Sequence, residues 1–218
     1  MPPDFKPLVR FFCSFALLYT LLISPWPESR EIYSRCFCSF ARAVFRESSG
    51  NRILRFDTVP ANQRNRTLDA RITIANRTQL DANGSGHAVM LDLDSRGIGW
   101  VPTAMLVALV LATPVSWPRR LQALFWGLLA VHAFILVSIE VYILNQSDAS
   151  NGLNLVEFSP FWKTVVNGLE ETLVTQLGAS FIFPLFIWIL TTFRAEDIRL
   201  FSAAASARLA KVSPVTQK

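Results

Sequence analysis

The stretch IGWVPTAMLVALVLATPVSWPRRLQALFWGLLAVHAFILVSIEVYIL, Ile98 to Leu144, decides the fold class. It contains two apolar runs, Ile98–Ser116 and Leu121–Leu144, joined at Trp117-Pro118-Arg119-Arg120. Each run is close to the ~20 apolar residues that a helix needs to cross ~30 Å of hydrocarbon. The proline and the arginines between them end one helix and begin another, so the pair reads as a membrane hairpin with a tight basic turn.

Two more runs lie outside this hairpin: Leu8–Ser24 before it and Leu173–Phe193 after it. The expected fold is a membrane protein, a four-span α-helical bundle with a small extracytoplasmic α+β insert between spans one and two. Residues 1–24 would form a cytoplasmic tail and the first span, and 25–97 the insert. Residues 98–144 would form the helical hairpin, and 145–172 an extracytoplasmic loop and helix start. The fourth span would occupy 173–193 and a basic cytoplasmic tail 194–218. A composition of 51% hydrophobic and 12% aromatic residues is high for a soluble domain and ordinary for a chain half in lipid. The net charge of +5 comes from basic residues scattered through loops and tails, so no nucleic-acid partner is expected.

The positive-inside rule orients the spans. Lys6 and Arg10 precede the first, Arg119 and Arg120 sit in the tight turn, and Arg194, Arg199, Arg208, Lys211 and Lys218 follow the fourth. Both termini and the tight turn are therefore expected in the cytoplasm. The long first loop also carries arginines, but loops of that length translocate largely regardless of charge. Ser24-Pro25-Trp26-Pro27 lacks a small-x-small cleavage site, so the first span reads as an uncleaved anchor. Trp26, Trp100, Trp117 and Trp162 fall at span edges, where amphipathic rings prefer to lie.

In the outer segment, Ser29–Arg46 has helical periodicity. Ile32, Tyr33, Cys36, Phe37, Phe40 and Val44 form one face, and Arg35, Arg42 and Arg46 another. Such a helix either lies in the membrane interface or packs on a sheet. Ile53–Phe56 reads as a short strand. Leu68, Ala70, Ile72 and Ile74 alternate with polar neighbours, as do His87, Val89, Leu91 and Leu93, so both runs read as strands with one buried face. These last two are expected to pair as an antiparallel hairpin, with a loop near residues 77–86 and turn chemistry at Asn83-Gly84-Ser85-Gly86. Ser159-Pro160 reads as an N-cap and first helical residue, opening a helix that could continue unbroken into the fourth span, with a kink at Pro184. Phe201, Ala205 and Leu209 suggest a partly helical tail.

Few groups could carry chemistry. Cys36 and Cys38 are candidate thiols, a nucleophile or redox pair with His87 as the base; packing within the helix is the plainer reading. The pair has no second Cys pair or flanking histidines, so it is no metal site. His132 and Glu140 lie within the third span and are candidate partner contacts, since ionisable groups there commonly face a protein interior. His132 falls near mid-span and is expected to bond a hydroxyl or carbonyl of a neighbouring helix, or to face a partner protein. No partner for either appears elsewhere in the spans. Asn-x-Ser/Thr triplets begin at Asn65, Asn76, Asn83 and Asn145, and composition alone accounts for them. No nucleotide, zinc-protease or serine-hydrolase motif occurs, no cofactor is indicated, and no catalytic residue can be named.

Gly99-Trp100-Val101-Pro102-Thr103, followed by LVALVLATPVSWPRRLQALFWGLLAVHAFI, resembles the small integral membrane proteins encoded beside bacterial exosortases, the exosortase H-associated kind. The DTV and ITIANR segments and the late FPLFIWIL run fit the same layout. Exosortases are proposed cysteine transpeptidases that act on sorting tails of exported proteins. This chain lacks their intramembrane Cys with its downstream Arg and His or Arg, so the resemblance implies an accessory rather than the peptidase. The expected function is thus a non-catalytic accessory that docks a larger integral membrane protein, such as an exosortase, in the lipid bilayer. The rivals are a thiol-dependent membrane enzyme using Cys36 or Cys38 and a membrane sensor with an extracytoplasmic ligand-binding segment.

Overall fold

The computed structural model describes residues 6–24, 29–45, 51–60, 68–79, 88–148, 155–175, 178–194 and 196. The protein is mostly helical with one small sheet. Helices α1 (Lys6–Ile23) and α2 (Ser29–Val44) precede strands β1 (Arg52–Thr58), β2 (Ala70–Asn76) and β3 (Ala88–Leu93). Then come α3 (Val101–Ala112), α4 (Trp117–Gln146), α5 (Pro160–Glu170) and α6 (Ala179–Thr192).

α3 packs against α1, α4 and α6, and α6 also packs against α4. These four apolar helices form a bundle. A Cβ on Gly127 would stand 2.9 Å from a Leu106 methyl, so glycine permits the close approach of α3 and α4. One rim of the bundle is marked by Arg96, which donates to the Ile23 carbonyl, and by Trp100 Nε1, which donates to that of Leu22, each at 3.0 Å. Both bonds satisfy carbonyls at the C-terminus of α1 that have no intrahelical donor. Ser180 at the start of α6 reaches the Gly97 carbonyl on the same rim. At the other rim Arg119 donates to the Thr192 carbonyl, and Trp188 joins α6 to Thr113 at 2.9 Å while stacking on Phe11.

α4 is longer than its neighbours. Leu106 faces Gly127, so the six residues from Leu106 back to Trp100 match six from Gly127 to Ala133. Phe134 to Gln146 therefore projects beyond the bundle by ~20 Å at 1.5 Å per residue. This projection is the spine of a cap made of α2, the sheet and α5. Ile135, Ile139 and Ile143 share one core with Phe56 of β1, Ile72 and Ile74 of β2 and Leu93 of β3.

The sheet has the order β1-β2-β3, with both pairs antiparallel. Leu54 opposes Ile74, and Phe56 opposes Ile72, which in turn opposes Leu91. The expected pairing of the two later strands and their inward faces are found; the turn at residues 83–86 lies outside the described residues. α2 packs on β1, and Phe45 stacks on Phe56 at 5.6 Å.

Two expectations need correction and a third is met in part. The face of α2 that packs inward is Ser34, Phe37, Cys38 and Ala41, whereas Ile32, Cys36, Phe40 and Val44 are exposed. Apolar periodicity misses this because small side chains make the contact: Ser34, Cys38 and Ala41 let the helix sit close, and bulk does not decide it. The helix from Pro160 does not run on unbroken. α5 gives way to a π-helical turn at Glu171–Thr175, and α6 begins anew at Ala179. The four-span expectation is met in part: among the described residues α1, with 18 residues, and α4, with 30, are long and apolar enough to cross a bilayer, while Arg96–Ala112 and Ala179–Thr192 are apolar but shorter. The runs at 98–116 and 173–193 lose residues at their ends, because Thr113 and Phe193 are extended and Glu171–Thr175 forms the π turn. Pro184 lies inside α6 and is buried. The tail carrying Phe201, Ala205 and Leu209 lies outside the described residues.

Candidate functional site

Polar groups concentrate where the sheet meets the projecting half of α4. Arg52 has the same parity as Leu54 and Phe56, so it points inward. Its guanidinium meets Glu140 at 3.0 Å, with side chains 17% and 35% exposed. The pair, with Arg52 mostly and Glu140 partly withdrawn from water, ties the cap to the spine. At the near end of β2, the fully buried Asp69 accepts the Ser95 N–H at 2.9 Å and faces Arg30 of α2 at 3.4 Å. One carboxylate thereby holds α2, the sheet and the entrance to α3 together.

Beside this junction lies a cavity of ≈ 430 Å³ between β3, α4 and the α5–α6 connection. Asp92, Asp94 and Glu170 line it, with Tyr142, Ser138 and Ser180. Each acid has a donor. Asp92 takes a bidentate pair from Arg71, its cross-strand partner, at 2.6 and 3.1 Å. Hydrogen bonding from Arg71 holds the Asp92 carboxyl below its ordinary value, and the same bond raises Arg71. Asp94 accepts the Arg96 N–H at 3.1 Å, and Asn145 donates to Glu170. The Arg71 pair favours the carboxylate form of Asp92, and a hydrogen-bond donor engages each of the other two acids.

The sequence candidates fall around this junction without forming one site. Glu140 belongs to it through Arg52, a partner from the sheet rather than from another apolar helix. His132 sits at the rim of the bundle, not at the middle of an embedded helix. It is exposed, its Nδ1 lies 2.7 Å from the Leu128 carbonyl of its own helix, and its ring meets Phe40 of α2 edge-on at 6.3 Å. The expected bond to a neighbouring helix is replaced by one to the preceding turn.

The two thiols diverge. Two residues along a helix turn a side chain by ~200°, so Cys36 is exposed and Cys38 buried, and both are free. Burial pushes the Cys38 thiol up to about 11, with Arg42 opposing and Asp69 and Asp57 adding to the rise. A nucleophilic thiol needs the opposite shift. Burial also raises the Tyr33 hydroxyl, and Asp69 adds to the effect. His87, the expected base, lies outside the described residues, as do Asn65 and Asn83. Asn76 is buried and its side-chain carbonyl accepts two bonds from Thr78, a local turn that accounts for the Asn-x-Thr spacing there. Among the described residues no group of three or more His, Cys, Asp or Glu side chains could hold a metal ion.

Sequence reading missed Arg52, Asp69, Arg71 and Asp92. The signal for Arg52 was present in its parity with Leu54 and Phe56, one position before the run of Ile53–Phe56. Comparison with protein-family models, with curated proteins and with solved structures finds no match to this chain.

Proposed function

We propose that this chain is a four-span protein of the bacterial inner membrane, and that it acts as a non-catalytic accessory docking a larger integral membrane protein. One observation carries the membrane reading. The outward faces of the bundle are apolar and exposed: Leu121, Phe125 and Leu129 on α4, Ile182, Phe186 and Leu190 on α6, and Phe12, Leu17 and Leu21 on α1, which has no buried residue. No Asp, Glu, Lys or Arg interrupts 11–23, 101–112, 121–139 or 179–192. Water does not tolerate so large a contiguous apolar surface; hydrocarbon or another membrane protein does. α6 spans only ~21 Å, so the bilayer would thin locally, or flanking residues would snorkel.

The docking role draws on the polar junction. Its acids are engaged in holding cap to spine, and the buried thiol is shifted away from reactivity. What remains free is surface. His132 and Phe40 present an exposed patch at the rim, where a partner's helix could meet both bundle and cap. The resemblance in sequence suggests an exosortase-type sorting peptidase as that partner. Affinity purification in mild detergent with mass spectrometry tests the role. A membrane protein of that type should co-purify, and His132→Leu with Phe40→Ala should reduce its recovery without changing abundance. Unchanged recovery rejects this patch as the dock. Alkaline phosphatase fused after Ser85 or Ser150 should be active and after Arg120 silent. A Cys-free variant should keep its function; loss at normal abundance supports the thiol enzyme.

The acid-lined cavity favours a second reading, a sensor that binds a small cationic ligand outside the cell. Saturable thermal stabilisation by an amine such as spermidine, lost in Asp94→Asn, would select it.

A further inference from the structure

At the opposite end of the bundle a groove of ≈ 860 Å³ opens between α1 and the end of α3. Its mouth carries Lys6, Arg10 and Arg120, and no acidic side chain lines it. Among the described residues no carboxylate pairs with any of the three. Arg120 stacks over Trp117 at 5.0 Å, and its Nε is buried without a hydrogen-bond partner. A buried guanidinium N–H left unpaired is costly, so the site is short of an acceptor.

The groove's shape says which kind of acceptor. It continues from Lys6 past Phe11 and Ser14 to Leu17 and Leu18, with Leu111 on the facing helix. The twelve helical steps of α1 from Lys6 to Leu18 rise ~18 Å, close to half of a ~30 Å hydrocarbon core. A soluble phosphate would use only the mouth. A cationic mouth over an apolar channel one leaflet deep fits a molecule with an anionic head and acyl chains. We propose that this groove binds one anionic phospholipid of the cytoplasmic leaflet, its phosphate among Lys6, Arg10 and Arg120 and an acyl chain against Leu17, Leu18 and Leu111. Basic pockets between membrane helices on that side bind such headgroups. The proposal rests on the four-span orientation, which puts this end in the cytoplasm.

Native mass spectrometry of the full chain in detergent tests it, with dioleoylphosphatidylglycerol, dioleoylphosphatidylcholine and inorganic phosphate as probes. One phosphatidylglycerol should bind at least ten-fold more tightly than phosphatidylcholine, and millimolar phosphate should not displace it. Arg10→Gln and Arg120→Gln should each weaken it about five-fold. Removing cations could also disturb insertion, so Ser14→Trp provides a charge-neutral check: it fills the channel and should abolish retention. Equal binding of the two lipids, displacement by phosphate, or full retention in Ser14→Trp overturns the proposal. The phosphatase fusion after Arg120 separates the two failures. A silent fusion without lipid preference rejects the groove alone, and an active fusion rejects the orientation and the leaflet with it.

Discussion

The two halves of α4 have the same apolar composition and opposite surroundings. From Trp117 to Ala133 the helix is exposed on one side at every turn, at Leu121, Phe125, Leu129 and His132. Above Val137 none of its residues is exposed. There Ser138, Ile139, Val141 and Ile143 are buried beneath the sheet and α5. Charge differs too. Acids and their arginine partners gather around the upper half, while Lys6, Arg10, Arg119 and Arg120 mark the lower end. An apolar helix therefore does two jobs: its upper half is the core of the cap, and its lower half leaves an exposed apolar surface. Hydropathy alone registers both as one long apolar run.

The largest expected effect lies in the upper half. Ile143 is fully buried in the shared core. Ile143→Ala should destabilise the cap by about 2–5 kcal/mol, from lost transfer energy plus a cavity. Limited proteolysis within β1–β3 reads this, and the basic end of the bundle should stay protected. A loss below about 1 kcal/mol would mean that the cap does not depend on the spine.

Next comes the lower half. Phe125 is 64% exposed. If lipid covers it, Phe125→Arg costs about 2.5–3.5 kcal/mol on insertion and should reduce the membrane-inserted fraction. If water covers it, an exposed arginine should be neutral. Normal accumulation of Phe125→Arg in the soluble fraction would end the membrane reading.

These contrasts mark how far the sequence reaches. Alternation in β2 and β3 specified which face is buried, and the four apolar runs located the bundle helices. Burial on α2 was legible only at Phe37 and Tyr33, because Ser34 and Ala41 do not announce themselves as contacts. The Arg52–Glu140 pair was illegible as well. Its members are 88 positions apart, and only the projection of α4 brings them together. That same projection moves His132 from mid-helix to the rim. Helix length is readable from sequence, but the offset between neighbouring helices is set by Gly127 against Leu106 and by the bonds of Arg96 and Trp100 to α1.

The tie itself should matter at an intermediate level. Glu140→Leu leaves the Arg52 guanidinium mostly buried without its acceptor. That should cost about 1–3 kcal/mol, at the lower end because Glu140 is partly exposed. Arg52→Leu combined with Glu140→Leu should recover most of the loss, since two apolar groups replace a desolvated pair. A double-mutant cycle on thermal unfolding measures the coupling. Additive losses would show that the contact contributes nothing beyond its parts.

The smallest effect belongs to Arg71 and Asp92, on the face of the sheet turned away from the core. Both side chains are about a third exposed, and such pairs stabilise weakly despite good bidentate geometry. The Asp92 carboxyl is lowered from its ordinary 3.8 by the hydrogen bond from Arg71, so the fold favours the carboxylate. The stabilisation is complete above the unfolded value and disappears as pH falls through the lower folded one. Asp92→Asn should therefore lower the melting temperature by about 2 °C or less near neutrality, and the difference should close as the pH is taken below that range. Added salt should shrink it as well, because water reaches the pair. A drop above about 4 °C would contradict the comparison. It would mean that the acid-lined cavity wall depends on this pair, and that the outward face of the sheet is as structurally committed as the inward one.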